Sequence, residues 1–308
     1  MTLNVIVQNM VAVDSEQSFS GSRTSDDVEK SEIFSGESYH GVLVGNGRAN
    51  VLVDTFSLVR QSNNSTLNSL LEEIKNNLQN EEKSKVDEYL NSLKEKITRK
   101  YALISDPEKR EGATVREYSE EVEKALTALK QERPQSMLYV IAFDKQVGRL
   151  CKYVISCHMD AKIVRLDFNV IADGSGGDFA QAFISTQTSG LNWDTVSPEQ
   201  TFYLITLGCA AATGNAGVGG FMRVALVGES EVKSISGTTV NAAVRVCAKQ
   251  IAGNLSKKEA MDYTSSIYND EANIEEIAQR LDITPNDLLY SPGRLHQDVA
   301  KYNALMQK

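Results

Sequence analysis

The chain opens on a pattern of short apolar runs that predicts β-strands. Residues 2–14 hold two runs rich in β-branched side chains on either side of Gln8 and Asn9, which is the pattern of a hairpin with a tight two-residue turn. The polar stretch 15–32 then predicts a connection. The chain is therefore expected to begin inside a sheet.

Two glycine-rich turns each follow a strand and precede a helix. A strand that begins at Tyr39 ends in the turn 45–47, and apolar residues at helical spacing predict a helix over 50–61. The second turn, Asp-Gly-Ser-Gly-Gly over 173–177, precedes a helix over 178–187. This second turn could cradle a phosphate, but no lysine follows it as a P-loop requires.

The middle of the chain is rich in charge. Residues 63–134 carry 13 Lys or Arg and 15 Asp or Glu among 72 residues, or about 39% charged against 24% in the whole chain. Apolar positions at helical spacing form three stripes there, which are Leu67, Leu70, Leu71, Ile74 and Leu78; Val86, Tyr89, Leu90, Leu93 and Ile97; and Val122, Leu126 and Leu129. We interpret this segment as an inserted helical hairpin, either a solvated bundle or a docking arm for a partner.

Strand patterns return after this insertion. Residues 136–143, 149–156 and 164–172 predict an antiparallel meander. The elements that follow the second glycine-rich turn and its helix are a helix over 197–213, strands over 220–228 and 231–236, and a helix over 238–253.

Helices grouped between runs of strands predict the α+β class, with two antiparallel sheets flanked by helices rather than alternating βαβ units. The predicted division is a core over 1–62 and 135–254, the helical insertion over 63–134, and a helical tail over 255–308. Within that tail, residues 274–290 have the spacing of a helix-turn-helix. The segment is acidic, so we interpret it as a packing or partner-contact helix rather than as a DNA reader.

Charge and hydropathy disfavour several classes of partner. The net charge of −9 and the pI near 5.1 argue against nucleic acid or an anionic membrane bound by the whole surface. No apolar run reaches the ~18 residues of a membrane span, and no secretory segment opens the chain. We therefore expect a cytoplasmic protein.

The cysteines indicate reduced thiols rather than a metal site. Cys151, Cys157, Cys209 and Cys247 lie in apolar stretches without a CxxC pair. Cys151, Cys157 and His158 are close in sequence, but their spacing fits no structural zinc pattern. No metal or other cofactor is expected.

Three residues near the start of the chain carry a resemblance to a known family. Asp14 and Lys30 are separated by sixteen residues, and around the predicted hairpin turn Thr2 lies beside Asp14. With the order of strands, turns and helix pairs over 2–62 and 136–250, this arrangement resembles the proteasome β-subunit family and its simpler bacterial relatives. The resemblance implies a four-layer αββα N-terminal-nucleophile sandwich.

The resemblance also implies the catalytic roles. Thr2, exposed by removal of Met1, would be nucleophile through its hydroxyl and base through its α-amine, whose pKa of about 7.7–8.0 leaves it substantially neutral near pH 7.5. Lys30, held by Asp14, would keep that pKa low by charge repulsion. Ser175 would form a hydrogen bond near the amine.

The remaining implied site residues bind or support rather than react. Backbone N–H groups of the first glycine-rich turn, Gly45, Asn46 and Gly47, would form the oxyanion hole. Asn215 takes the place of a supporting aspartate of the family, and Val218 takes the place of a serine.

The function implied is a threonine-type amide hydrolase that cleaves peptides or proteins. The family further implies a homo-oligomeric ring, with an ATP-dependent unfoldase as a partner. Two alternatives stay open. One is a catalytically silent protein of the same fold that mediates assembly or regulation, and the other is a transpeptidase that passes the acyl group to an amine.

Overall fold

The fold is described from a computed structural model, which covers residues 3–14, 17–19, 22–25, 30–47, 49–131, 136–157, 161–213, 218 and 222–290. Within these ranges the chain is mixed α+β, as predicted, and contains two five-stranded antiparallel sheets. The strands are β1 (Leu3–Val7), β2 (Met10–Asp14), β3 (Gln17–Phe19), β4 (Ser22–Ser25), β5 (Ser31–Ser35), β6 (Tyr39–Asn46), β7 (Ser136–Asp144), β8 (Arg149–Cys157), β9 (Ile163–Arg165), β10 (Val170–Gly174), β11 (Met222–Val227) and β12 (Val232–Ile235). The helices are α1 (Ala49–Gln61), α2 (Leu67–Lys100), α3 (Pro107–Gln131), α4 (Gly177–Thr188), α5 (Pro198–Ala212), α6 (Gly237–Ile251), α7 (Lys257–Tyr268), α8 (Ile274–Arg280) and α9 (Pro285–Tyr290).

The opening hairpin forms as the sequence predicts. Val7 pairs with Met10, which leaves Gln8 and Asn9 as a two-residue turn. Gln8 has a φ of 51°, the left-handed value that favoured hairpin turns use. Its side-chain oxygen accepts a hydrogen bond of 2.9 Å from the hydroxyl of Thr201, which ties the turn to α5.

The hairpin lies inside the first sheet, whose strand order is β10-β1-β2-β11-β12. The second sheet has the order β5-β6-β7-β8-β9. Because β1 and β2 each have a neighbour on both sides, the ends of both strands are flanked by other strands, and β2 ends at Asp14, a predicted catalytic residue.

The alternating run 164–172 was wrongly predicted as one strand. β9 pairs with β8 in the second sheet, whereas β10 pairs with β1 in the first. Between them, Leu166 donates its N–H to the carbonyl of Lys152 at 2.8 Å, and Asn169 accepts the N–H of Gln8 at 2.7 Å. The apolar and polar residues alternate through the whole run, so the sequence pattern does not show where the chain passes from the second sheet to the first. Only the pairing partners of β9 and β10 show it.

The polar connection 15–32 is also more structured than predicted. It includes β3 and β4, which pair with each other in a separate two-stranded sheet, and β5 already begins at Ser31. These short serine-rich strands lack the alternation of apolar residues from which a strand is usually recognised.

Packing places the two sheets face to face with helices on their outer sides. The inner faces meet through a cluster that includes Ile6, Val13, Val44 and Ile141. A second cluster joins the outer face of the first sheet to the helices from α4 onward, and a third joins the outer face of the second sheet to α1 and α2. The order of layers is therefore helices, sheet, sheet, helices.

The charged segment 63–134 forms a helical pair, α2 and α3, as predicted. The first apolar stripe, from Leu67 to Leu78, is fully buried in the same cluster as α1, so the first three turns of α2 belong to the core. Tyr89 in the second stripe is half exposed. No helix in the described part of the chain is long and apolar enough to cross a bilayer.

Because the start of α2 is buried, leucines in its first half should contribute more to the free energy of unfolding than leucines in its second half. Leu70 is 1% exposed, so Leu70→Ala should lower the free energy of unfolding by about 2–5 kcal/mol through lost burial and a residual cavity. The matched control is Leu93→Ala, at a partly exposed position of the same helix, which should cost about 1 kcal/mol or less. Equal costs in urea denaturation would show that α2 is not divided in this way.

The tail packs on the core through its apolar side. Ile277, Ala278 and Leu288 are buried in the cluster that contains α5 and α6. The side-chain amide of Asn241 in α6 donates to the carbonyls of Leu288 and Leu289 at 3.3 and 2.8 Å. This packing supports the interpretation of residues 274–290 as packing helices.

Candidate functional site

A buried ion pair joins the end of β2 to the start of β5. Asp14 is 1% exposed and Lys30 is 3% exposed, and Lys30 Nζ donates to Asp14 Oδ1 at 2.8 Å. The same oxygen accepts the backbone N–H of Leu3 at 2.8 Å. Two charges at this depth are costly to separate, so each side chain holds the other in place, across the two sheets.

The Leu3 bond connects this ion pair to the start of β1. Thr2 lies outside the described residues, but it is covalently joined to the Leu3 nitrogen that Asp14 binds. On the other side of β1, Leu3 pairs with Gly174, and Ser175 is the next residue along that neighbour. Asp14, Lys30 and Ser175 thus border the position from which β1 begins.

The predicted oxyanion turn lies next to Lys30. Ser31, which follows Lys30, pairs with Val44, which precedes Gly45. Because paired strands keep their register, Lys30 and Gly45 are neighbours at the end of the β5–β6 ladder.

The N–H of Gly45 is directed toward the lysine side of its strand. Across the same ladder, Gly36 donates its N–H to the carbonyl of Tyr39 at 2.9 Å. In an antiparallel pair, every second residue of a strand points its backbone N–H and C=O at the same neighbouring strand. Gly45 is six residues beyond Tyr39, so its N–H also points toward β5. It does so in the plane of the sheet, where the register places the backbone of Lys30 opposite it.

Glycine is needed at this turn for structural reasons as well. A Cβ on Gly45 would come within 2.5 Å of Leu52 Cδ2 and 2.6 Å of Leu138 Cδ2, so the ends of both leucine side chains would have to move to admit it. Gly47 has a φ of 111°, which side chains rarely adopt. The two glycines are therefore explained by packing and backbone geometry before any chemistry is considered.

Asp173 ties the two glycine-rich turns together. Its carboxylate accepts hydrogen bonds from the side-chain amide of Asn46 and, at 2.7 Å, from the hydroxyl of Tyr139, both in the second sheet. It also accepts the backbone N–H of Gly174 at 2.7 Å. Asn46 in turn accepts the N–H of Met137 at 3.0 Å. We call Asp173, Asn46 and Tyr139 the inter-sheet clasp.

The sequence interpretation missed Asp173 and Tyr139 as parts of this site. Burial raises the pKa of the Tyr139 hydroxyl, and the hydrogen bond to Asp173 raises it further, so the hydroxyl remains a donor. An aspartate directly ahead of the Gly-Ser-Gly turn was the one available signal. Its partners could not be read from the chain because they lie in a different sheet.

The turn that carries Ser175 packs against the end of α5. Gly176 has a φ of 85°, and a Cβ there would come within 2.9 Å of the carbonyl of Ala212 and 3.1 Å of Val218. Val218 is fully buried, so this position, where the family has a serine, contributes packing. Asn215, the predicted supporting residue, lies outside the described residues.

The charge of Asp14 also reaches α5. Burial raises the pKa of the Cys209 thiol, and the negative charge of Asp14 raises it further. The thiol therefore stays protonated and is a poor nucleophile. Cys209 is therefore a packing residue behind the ion pair.

A cavity of about 450 Å³ lies between the sheets beside the ion pair. It is lined by Val13, Ser31 and Val44, each adjacent in sequence to a predicted site residue, and by residues of β11 and β12 that include Arg223 and Ser234 beside apolar side chains. The lining is therefore mixed, with apolar walls and a few polar groups, as in many ligand pockets.

Metal ligands do not gather within the described ranges. No group of three His, Cys, Asp or Glu side chains in the part that the structure describes is placed to hold a metal ion. Cys151 is buried in the core with a free thiol. The Cys157 side chain and His158 lie outside the described part.

The inter-sheet clasp gives a testable expectation for stability. Asp173→Ala leaves the Tyr139 hydroxyl and the Asn46 amide without their acceptor, so the free energy of unfolding should fall by about 1–3 kcal/mol. Asp178→Ala, at an exposed position nearby in α4, should stay within about 0.5 kcal/mol of the wild type. The clasp interpretation is wrong if the urea midpoints of the two variants coincide.

Comparison with known proteins adds no family to this geometry. No family model matches the chain, and a search of curated proteins finds no match.

Proposed function

We propose that this chain is a threonine-type amide hydrolase, acting on peptides, with the N-terminal-nucleophile sandwich of the proteasome family. The observation that carries the proposal is the buried Asp14 carboxylate, which binds both Lys30 and the N–H of Leu3. These bonds bring a lysine to the start of β1, where residue 2 is attached. The layer order of helices, sheet, sheet, helices supports the sandwich.

In the proposed reaction, removal of Met1 leaves Thr2 with a free α-amine. The amine takes the proton of the Thr2 hydroxyl as Oγ attacks the carbonyl carbon of the substrate amide. The C–N bond then breaks, and the leaving amine carries the proton away. Water attacks the resulting acyl ester, the ester C–O bond breaks, and the proton of the water returns to Thr2 Oγ.

The surrounding residues would assist without forming bonds to the substrate carbon. A backbone N–H of the first glycine-rich turn, Gly45 to Gly47, would stabilise the oxyanion, a contribution of about 2.7–4 kcal/mol for one such donor. Lys30 would oppose protonation of the amine, and Asp14 would balance its charge. Asn46 and Asp173 would hold the oxyanion turn in register with Ser175.

A second candidate is a catalytically silent protein of the same fold. The observation that favours it is Val218, whose buried methyl groups stand where the family has a hydroxyl. In that case the helical pair α2 and α3 would serve assembly or regulation. The Asp14–Lys30 pair would then be purely structural.

Assembly into a homo-oligomeric ring, served by an ATP-dependent unfoldase, is part of the proposal through the family resemblance alone. Sedimentation velocity on the full chain tests the ring. A single species at the monomer mass over a wide concentration range would remove this part and leave the chemistry standing.

The decisive experiment measures the N-terminus and its reactivity. Protein purified from cells is analysed by intact mass, and is then treated with an electrophilic inhibitor directed at N-terminal threonine, with the adduct mapped by peptide mass spectrometry. We expect loss of Met1 and an adduct on Thr2. Retained Met1, or free Thr2 that is never labelled, favours the silent protein. Product masses with and without an added amine distinguish hydrolysis from transpeptidation.

A further inference from the structure

The cavity beside the ion pair lies at one edge of the sandwich. β12 is at the end of the first sheet and β5 is at the end of the second, and residues of both strands line the space of about 450 Å³. Ile33 on β5 lines the cavity and is 46% exposed. The cavity therefore reaches the surface between two edge strands, where a small molecule from solution has access to it.

Apolar residues of both inner faces line this cavity. Val11 and Val13 come from β2, Val42 and Val44 come from β6, and all four belong to the cluster between the sheets. Side chains alternate along a strand, so each pair faces inward from its own sheet. An aliphatic chain in the cavity would leave water and contact valine side chains of both sheets, which is favourable.

One basic side chain faces the same space. Arg223 pairs with Val13, and directly opposed residues share a face of the sheet, so Arg223 projects inward from β11. A guanidinium has five N–H donors in a planar fork that matches a carboxylate. Arg223 can therefore bind a carboxylate and keep another partner at the same time. Because this residue is exposed, the bound carboxylate would stay partly hydrated.

The polar part of the lining favours an anion over a cation. Arg223 is the one charged residue among the described residues that line the cavity, and the other polar side chains there are the hydroxyls of Ser31 and Ser234. A cationic ligand would meet Arg223 without a lining carboxylate to balance it. The ligand that suits both parts of the lining has an apolar body and one negative end.

We propose that this cavity binds a small aliphatic carboxylate of the medium-chain fatty acid type, with its alkyl chain between the valines and its carboxylate on Arg223. Val13 precedes Asp14 and Ser31 follows Lys30 in the chain, so the ligand would lie beside the buried ion pair. The binding is separate from the proposed hydrolysis, because none of the residues that form this site takes part in that reaction.

Isothermal titration calorimetry on the full chain tests the two parts of the ligand separately. Across butanoate, hexanoate and octanoate, Kd should fall about fourfold for each added methylene until the chain fills the cavity. 1-Heptanol keeps the alkyl chain of octanoate and lacks its charge. It should bind about threefold more weakly than octanoate, or weaker still, the effect expected for an ion pair at an exposed arginine.

Two variants locate the ligand in this cavity. Arg223→Met removes the charge, so the affinity for octanoate should fall about threefold or more, while the affinity for 1-heptanol stays within about twofold of the wild type. Ser234→Phe places a ring in the cavity from an edge strand and should weaken both ligands about tenfold or more. Ser234→Leu is the smaller filling variant, used if the urea midpoint shows that phenylalanine disrupts folding.

The matched control is Lys233→Met, at the next residue of β12. Lys233 is not among the residues that line the cavity, so both ligands should keep their wild-type affinities within about twofold. Octanoate that gives no saturable heat overturns the proposal, and so does binding that the filling variants leave unchanged. Equal affinities of octanoate and 1-heptanol for the wild type also overturn it. A Kd that rises with protein concentration would assign the cavity to a second copy of the chain instead.

Discussion

Thr2→Ala is expected to abolish amide hydrolysis and covalent labelling while leaving the fold intact. The variant loses the hydroxyl and the γ-methyl group of Thr2, and the Leu3 N–H that binds Asp14 belongs to the next residue and is kept. Loss of an enzyme's nucleophile lowers kcat by a factor on the order of 10⁴–10⁶. The measurements are the hydrolysis rate of a peptide substrate and the mass of protein treated with the inhibitor.

The controls separate the effect of losing the hydroxyl from any effect on the removal of Met1. Alanine, like threonine, is small, so Met1 should also be removed from the variant, which intact mass verifies. Thr2→Ser restores a hydroxyl and should recover labelling. A Thr2→Ala enzyme that retains wild-type activity would place the chemistry at another residue, and the role proposed for the start of β1 would be withdrawn.

Lys30→Met is expected to cause a large loss of stability. It leaves the Asp14 carboxylate buried without the lysine that balances it, a change that costs about 3–5 kcal/mol. Activity should be lost as well, since Lys30 borders both the start of β1 and Gly45. Urea denaturation gives the first effect, and inhibitor labelling of folded protein gives the second.

A double variant separates the two consequences. Asp14→Asn with Lys30→Met removes both charges and keeps an oxygen for the Leu3 N–H, so much of the stability should return. Labelling of Thr2 should not return, because the lysine is still missing. Full recovery of both would mean that the ion pair is only a structural feature.

An exposed pair of the same type is the matched control. Lys233 lies 3.7 Å from Glu231, and its side chain is 68% exposed. Lys233→Met should therefore cost less than about 1 kcal/mol and leave labelling unchanged. A loss as large as that of Lys30→Met would show that burial is not what makes the Asp14–Lys30 pair important.

Local pattern was sufficient to predict most elements of the fold. The hairpin around Gln8 and Asn9 and the helices with clear caps follow from contacts between residues close in sequence. The α6 end at Gly253 is such a case, since its φ of 80° suits a glycine after the helix. Such signals survive in the chain because their causes are local.

The same reasoning failed where an element depends on a distant partner. β9 and β10 share one alternating run, but β8 binds the first and β1 binds the second. The start of α2 resembles the rest of that charged helix, yet Leu70 and its stripe are buried under the second sheet. Neither the change of sheet nor the depth of burial leaves a local signal.

The spacing of Asp14 and Lys30 and the two glycine-rich turns could be read from the chain alone. That one buried carboxylate oxygen binds both Lys30 and Leu3, and that Asp173 joins the two turns, became visible only in the folded molecule. Hydrogen bonds between sheets join residues far apart in the chain, so no local pattern encodes them. Their energy depends on burial, which a single sequence does not record.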